Sequence, residues 1–411
     1  MLDPEYLLHI SEGAESIAEE LHLYIIKRII ERITVRLSEG MEHLISPADT
    51  WQIDVLQDAG FLLEDITKEI SVITGKMENE VLEAMEEAGI RTWKYDDDIY
   101  QAAGISTKSL DESPEFIRIM QRNYEATLGE WENFTRTTAD STQRLFITEC
   151  DKAYNLVSTG TESYTKAYTD AIKQVVNDGV YVTYTNEDTG YVHKDTIETA
   201  TLRALRTGIG QMSLEVTTKR MDEMNWDIVL VSAHEGARPG DGGENPGNHA
   251  WWQGKYYSRS GNGKFPDFME CTGYGTGEGL GGWNCRHSAG PGTGRDEDNP
   301  YRKISTEENR KKYEEQQKAR AMERRIRKTK RQVVGYQTAY EGLPDGPEKD
   351  AAQKTYDKKC DLLRRQNEAY TEYCRAHNMR PLSERLEIAE WDRKQARESL
   401  KAARRFRRND N

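Results

Sequence analysis

A chain of 411 residues is too long for one ordinary core, so a small stapled scaffold is excluded and two or three domains are expected. Charged residues make up 31% and apolar ones 36%, a balance that suits long helices burying one stripe each better than a single compact enzyme domain. The net charge of −14 argues against a protein that simply coats DNA, yet the charge is uneven: residues 301–411 hold 30 Lys+Arg against 19 Asp+Glu, and residues 1–300 hold 27 against 52.

No apolar run is long enough to span a bilayer, and the opening MLDPEYLLHISEGAE carries acidic residues where a signal peptide would carry basic ones, so a protein made and assembled in a cytoplasm is expected. The five cysteines (Cys150, Cys271, Cys285, Cys360, Cys374) are odd in number and scattered, which predicts free thiols.

Residues 3–39 predict a helix. Asp3-Pro4 supplies a cap and a proline at the first turn, Leu21, Ile25, Ile26, Ile29, Ile30, Ile33 and Leu37 recur at helical spacing, and Gly40 marks the stop. Ser46-Pro47 repeats the start signal for a helix through Trp51, Val55 and Leu56 that ends near Gly60; further helical patterns cover 62–74, 77–89 and 114–176. Residues 179–184 alternate and are β-branched, and a turn at 186–190 leads into Tyr191-Val192-His193, which predicts a hairpin. Asp195 is expected to cap a helix to about Met224, followed by a short buried strand over 226–232. The 59 residues from Gly236 to Gly294 hold 17 of the 32 glycines, so strands there must be short and turns many. After Pro300 a charged helix has a narrow apolar seam at Tyr313, Met322, Ile326 and Val333; GLPDGP (342–347) turns into a second helix to about 376, and a third covers 383–405. The expected fold is mainly α with a small α+β domain: an acidic helical region 1–176, a glycine-rich α+β domain 177–298, and a basic helical hairpin and tail 299–411.

Within TGYGTGEGLGGWNCRHS (272–288), a phosphate cradle is disfavoured because no helix follows the glycines and no Lys-Ser/Thr closes the loop. His234, His249, Cys285 and His287 offer the donor types zinc prefers, but their spacing matches no usual paired pattern; the expectation is a hydrogen-bonded scaffold with no cofactor, zinc being the alternative. Cys285 with His287 as nucleophile and base lacks a legible third group or oxyanion hole. Arg324, Arg325, Arg327, Lys328, Lys330 and Arg331 form the densest basic run and are the candidate nucleic-acid contacts, the alternative being a solvated helix paired with its own Glu314, Glu315 and Glu323.

The stretches VLVSAHEGARPGDGGENPGNHAWWQGKYYS and FMECTGYGTGEGLGGWNCRHSAGP resemble the phage minor capsid protein 2 family, and the Mu F-like head morphogenesis proteins more distantly. The resemblance rests on Ser232-Ala233-His234, Ala237-Arg238-Pro239, His249, Trp252-Gln253-Gly254-Lys255, Gly273-Tyr274-Gly275-Thr276 and Gly282-Trp283-Asn284-Cys285-Arg286-His287. It extends to Pro4-Glu5-Tyr6, Trp51-Gln52, Arg206-Thr207 and Glu323-Arg324-x-Ile326-Arg327, and so covers nearly the whole chain. GDGGENPG (240–247) lengthens the family's usual link between Arg-Pro and His249, which puts a fixed Arg238–His249 geometry in question.

The resemblance implies a structural protein of a tailed-phage or prophage head rather than an enzyme. It implies a place in the virion at the portal vertex inside the capsid, in multiple copies, with portal and capsid proteins as partners and packaged DNA as a contact of the basic helices. No membrane is involved and no catalytic residue is carried over. Arg238, Gln253 and Asn284 are expected to hold backbone, and Trp252 and Trp283 to anchor the small domain. The competing class is a zinc-dependent nuclease or other hydrolase using the His/Cys set.

Overall fold

A computed structural model of the chain describes residues 1–38, 47–178, 181–185, 190–261, 263–301 and 303–409. The expected stop at Gly40, the cap at Ser46 and the turn residues 186–189 lie outside the described residues. Among the described residues the chain is mainly helical with two small antiparallel sheets. Its helices are α1 Pro4–His9, α2 Glu12–Ser38, α3 Ala48–Ala102, α4 Pro114–Ser158, α5 Tyr164–Asp178, α6 Ile197–Glu223, α7 His249–Trp252, α8 Phe268–Thr272, α9 Thr306–Gly342, α10 Pro347–Ala376 and α11 Arg393–Asn409. Its strands are β1 Tyr181–Thr185, β2 Val192–Thr196, β3 Ile228–Val231, β4 Tyr256–Ser258 and β5 Ala289–Pro291.

Helix boundaries depart from the sequence reading in instructive places. The separate helices expected across 46–89 are one helix of 55 residues, running through Gly60 and Gly75. A glycine inside a helix costs ~1 kcal/mol relative to alanine, and the buried stripe of Trp51, Val55, Ala59, Leu62, Ile66 and Ile73 outweighs that. Conversely, the pattern over 114–176 is broken at Gly160, whose φ of 67° makes a left-handed helix end with Gly160 N–H on Val157 O and Glu162 N–H on Leu156 O. Asp195 is not a cap; β2 continues to Thr196, and Asp195 Oδ1 lies 2.9 Å from His193 Nε2.

The chain forms two compact units, each drawn from three stretches of sequence: 1–15, 76–132 and 201–317 in one, 16–75, 133–200 and 318–411 in the other. This division differs from the three consecutive segments read from composition, because helices bury their stripes against partners distant in sequence.

The first unit contains the sheet β4-β3-β5, antiparallel throughout, with Val229 opposite Tyr257 and Pro291. Its core is Leu214, Met221, Val229, Val231, Trp252, Tyr257, Phe268 and Leu280. In the same unit α6 is tied to α3 by polar pairs, Ser213 Oγ with Thr92 Oγ1 at 2.8 Å and Arg220 Nη1 to Trp93 O at 2.7 Å.

Among its described residues the second unit is mostly helical and carries the β1–β2 hairpin, in register from Tyr181–Thr196 to Thr185–Val192. Trp51 stacks on Tyr154 with centroids 4.9 Å apart and donates to Asp151. The turn after Gly342 returns α10 against α9, with Tyr340 and Tyr356 rings 5.5 Å apart, and Arg405 of α11 donates to Asp357 of α10 at 2.6 Å.

Candidate functional site

Strand β3 is the middle of its sheet, and this places the motif segments together. The chain leaves β3 through Ser232-Ala233-His234, enters β4 from Gln253-Gly254-Lys255, and enters β5 from Cys285-Arg286-His287-Ser288. Antiparallel pairing puts all three at one end of the sheet, stitched by Ser232 N–H to Ser288 O (2.9 Å), Gly254 N–H to Ser232 O (3.3 Å) and Ser288 N–H to Ser232 Oγ (2.9 Å). Gly254 adopts φ 66° there, and a Cβ on it would sit 3.1 Å from the Ala233 Cβ.

Four histidine and cysteine side chains gather at this end. Cys285 Sγ lies 3.8 Å from His249 Nδ1 and 3.7 Å from His287 Nδ1. All three residues are buried. His234 stacks on His287 with centroids 4.5 Å apart, its Nδ1 facing Glu235 O and the Arg286 guanidinium, so it stands beside the other three. Trp252 closes the floor, 4.5 Å from His249 and 4.7 Å from His287, and donates to Pro246 O. Burial, and for His287 its neighbouring histidines, lowers both imidazoles, His249 to about 4 and His287 well below the usual histidine range, while burial pushes the Cys285 thiol up.

Gln253 Oε1 accepts from the His234 N–H at 3.0 Å and from His287 Nε2 at 3.1 Å. Arg238 Nη2 donates to Glu278 O at 2.6 Å and lies 2.7 Å from His249 Nε2. The long link 240–247 does not disturb this pair. It closes on itself through Gly242 N–H to Pro239 O, Asn245 to Asp241 and Asn248 to Gly243 O, and Asn248 then caps α7.

The glycine-rich loop is a backbone knot. The N–H groups of Thr276, Leu280, Gly282, Trp283 and Cys285 bond to carbonyls of Gly273, Thr272, Gly279, Gly277 and Gly282, so they are not offered to a phosphate. A Cβ on Gly279 would meet Gly273 O at 2.2 Å. Gly273 is the left-handed cap of α8, Thr276 Oγ1 donates to Gly273 O, and Tyr274 packs on Phe268. Two motif residues differ from expectation. Trp283 is 61% exposed and lies over Gly277 rather than anchoring the core, and exposed Asn284 serves by its φ of 55° rather than through its amide. Lys255 places its amine 5.3 Å from the Trp251 ring centroid.

A family model described as Phage minor capsid protein 2 matches residues 2–371. The chain belongs to the phage minor capsid protein 2 family. No curated protein and no solved structure matches it. As a member of the phage minor capsid protein 2 family the protein has a structural role in a phage head. The matched region ends inside α10, so α11 lies beyond it.

In this minor capsid protein the basic run on α9 divides by facing. Arg324, Arg325 and Lys328 are exposed. Arg327 Nη1 donates to Arg385 O, and Lys330, buried, donates to Leu386 O at 2.6 Å. Arg331 is buried too and bonds Glu19 at 2.7 Å and Glu198 at 3.1 Å, with His22 Nδ1 on Glu198 at 2.8 Å. Lys330 and Arg331, expected among the nucleic-acid contacts, are therefore committed inside the second unit. Burial opposes ionisation of both carboxyls; Arg331 and His22 overcome it at Glu198, which is held well below the usual range, whereas Glu19 is pushed up. Glu19, His22 and Glu198 have the spacing of a metal set, but the Arg331 guanidinium already supplies their cation. The sequence reading missed this cluster. Its one signal was Glu19 and His22 sitting in register with the apolar stripe of α2.

Proposed function

We propose that the protein is attached at the portal vertex on the inner side of a tailed-phage or prophage head and acts in head morphogenesis or in DNA packaging or ejection, with the exposed cations of α9 turned to packaged DNA. The observation that supports this most is the concentration of exposed positive charge in one part of an otherwise acidic family member. Exposed Arg324 and Lys328 line one cleft of about 140 Å³ with half-buried Arg327, and exposed Arg325 stands beside them in sequence; Arg331, which also lines it, is committed to Glu19 and Glu198. Phosphates neutralised there would release counterions, which makes binding strongly salt-dependent. Locating the protein in intact virions by density around the portal tests the placement; density confined to the outer shell would refute it. Full-length protein that fails to bind duplex DNA at low salt would remove the DNA contact while leaving the placement standing.

A further inference from the structure

We infer that His249, Cys285 and His287 form a metal site for a thiophilic divalent cation, zinc being the ion their donors suit best, with Nδ1 of each histidine and Sγ of the cysteine as ligands. The spacing fits. Zinc binds sulfur at ~2.3 Å and imidazole nitrogen at ~2.0–2.1 Å, so the sulfur and nitrogen corners of a tetrahedral site lie roughly 3.5–3.8 Å apart. The two Sγ–Nδ1 separations here are 3.8 and 3.7 Å, and one donor atom from each residue falls within 4.8 Å of the others.

Proton positions carry the inference further. A backbone N–H can only donate, so the Gln253 atom facing the His234 N–H is its oxygen, and the same oxygen faces His287 Nε2. His287 Nε2 must therefore carry the proton, which leaves Nδ1 bare and aimed at Cys285. His249 Nε2 lies 2.8 Å from Glu278 O and 2.7 Å from the Arg238 guanidinium, which can only donate, so metal binding at Nδ1 requires the tautomer in which Nε2 donates to the Glu278 carbonyl and the guanidinium keeps its own bond to that oxygen. In that tautomer both Nδ1 atoms face Cys285 bare, and a thiol with one proton cannot serve the two of them. One cation satisfies both nitrogens and the thiolate together.

The surroundings match a ligand shell. His287 Nε2 faces the Gln253 amide oxygen and His249 Nε2 faces the Glu278 carbonyl oxygen, the kind of partner that fixes metal-binding histidines. The bound ion ties α7 to the segment entering β5. Its fourth position is left to a small ligand, and the positive charge of Arg238 and Arg286 beside Cys285 favours an anionic one such as hydroxide. The site stands whether or not the portal placement holds.

The test is cobalt titration of full-length protein stripped with a chelator. The expected result is one equivalent bound, with thiolate-to-cobalt charge transfer in the near ultraviolet, intense visible bands of a four-coordinate ion, and displacement by zinc. Cys285→Ser should abolish the charge transfer, Cys271→Ser should keep it, and Gln253→Ala should weaken binding about 10–100-fold through loss of ring positioning. Folding of each variant is checked by helical circular dichroism. Folded wild-type protein that takes up no cobalt overturns the site, as does charge transfer that persists in Cys285→Ser.

Discussion

His287 Nε2 lies 3.1 Å from Gln253 Oε1, an oxygen that also holds the His234 N–H. One amide thus joins the segments leaving β3, entering β4 and entering β5. Gln253→Leu keeps the bulk and removes the acceptor, leaving two donors unsatisfied at a cost of about 1–3 kcal/mol for each that stays buried. Gln253→Glu restores an oxygen and should recover part of the loss. Urea unfolding followed by tryptophan fluorescence reads the difference, and an unshifted Gln253→Leu midpoint would contradict the role assigned to Gln253.

Arg331 serves two buried carboxylates at once. Arg331→Met should destabilise the protein by about 3–5 kcal/mol, because it leaves charge buried without a partner. Adding Glu19→Gln and Glu198→Gln to that variant removes the stranded charge and should raise the melting temperature again. A triple variant no more stable than Arg331→Met would show that the cost is packing alone.

Asp96 is fully buried beside Thr217 Oγ1, 3.1 Å from its nearer oxygen, and burial pushes its carboxyl from 3.8 up to about 7 against the pull of nearby positive charge and the Thr217 hydroxyl. Between those values the folded chain holds a proton that the unfolded chain has released, so this group's contribution to stability falls as pH rises through the window. Asp96→Asn removes that slope. Relative to wild type, the variant should gain stability at about pH 8 and lose the gain by about pH 4; parallel unfolding curves across that range would exclude the assignment.

Glycine substitutions should change sign with position. Gly60 lies within α3 with nothing near its missing side chain, so Gly60→Ala should stabilise by up to ~1 kcal/mol. Gly279→Ala drives a methyl into the Gly273 carbonyl and should destabilise by about 1–3 kcal/mol or prevent folding. Thermal melts of the two variants decide it.

Charge reversal at Arg324, Arg325 and Lys328 touches exposed positions only. The triple glutamate variant should fold normally, lose DNA affinity without regard to sequence, and flatten the salt dependence by about 0.9 for each phosphate contact removed. Fluorescence anisotropy at several salt concentrations measures this, and an unchanged slope would place the DNA contact elsewhere.

Local chemistry was readable along the chain. Apolar spacing marked most helices, alternation marked β1, a short buried apolar run marked β3, and the glycine density marked a turn-rich knot. The family was legible in the motifs from Ser232 to His287, and its model matches residues 2–371. Their juxtaposition was not readable, because β3 meets β4 and β5 through pairings that no local pattern specifies. The length of α3 also depended on packing that overrides the glycine signals at 60 and 75.

TGYGTGEGLGGWNCRHS shows the division most clearly. Its glycines determined that the backbone could turn back on itself, and its lack of a following helix ruled against a phosphate cradle. Only the tertiary structure decided that Cys285 and His287 meet His249, 36 residues earlier than Cys285, over the Trp252 floor. The basic run on α9 divides the same way: composition gave its charge, but which cations face solvent depended on Glu19, 312 residues from Arg331. Propensity acts over a turn or two of chain, whereas burial and ion pairing are settled by whichever distant groups the fold brings into contact.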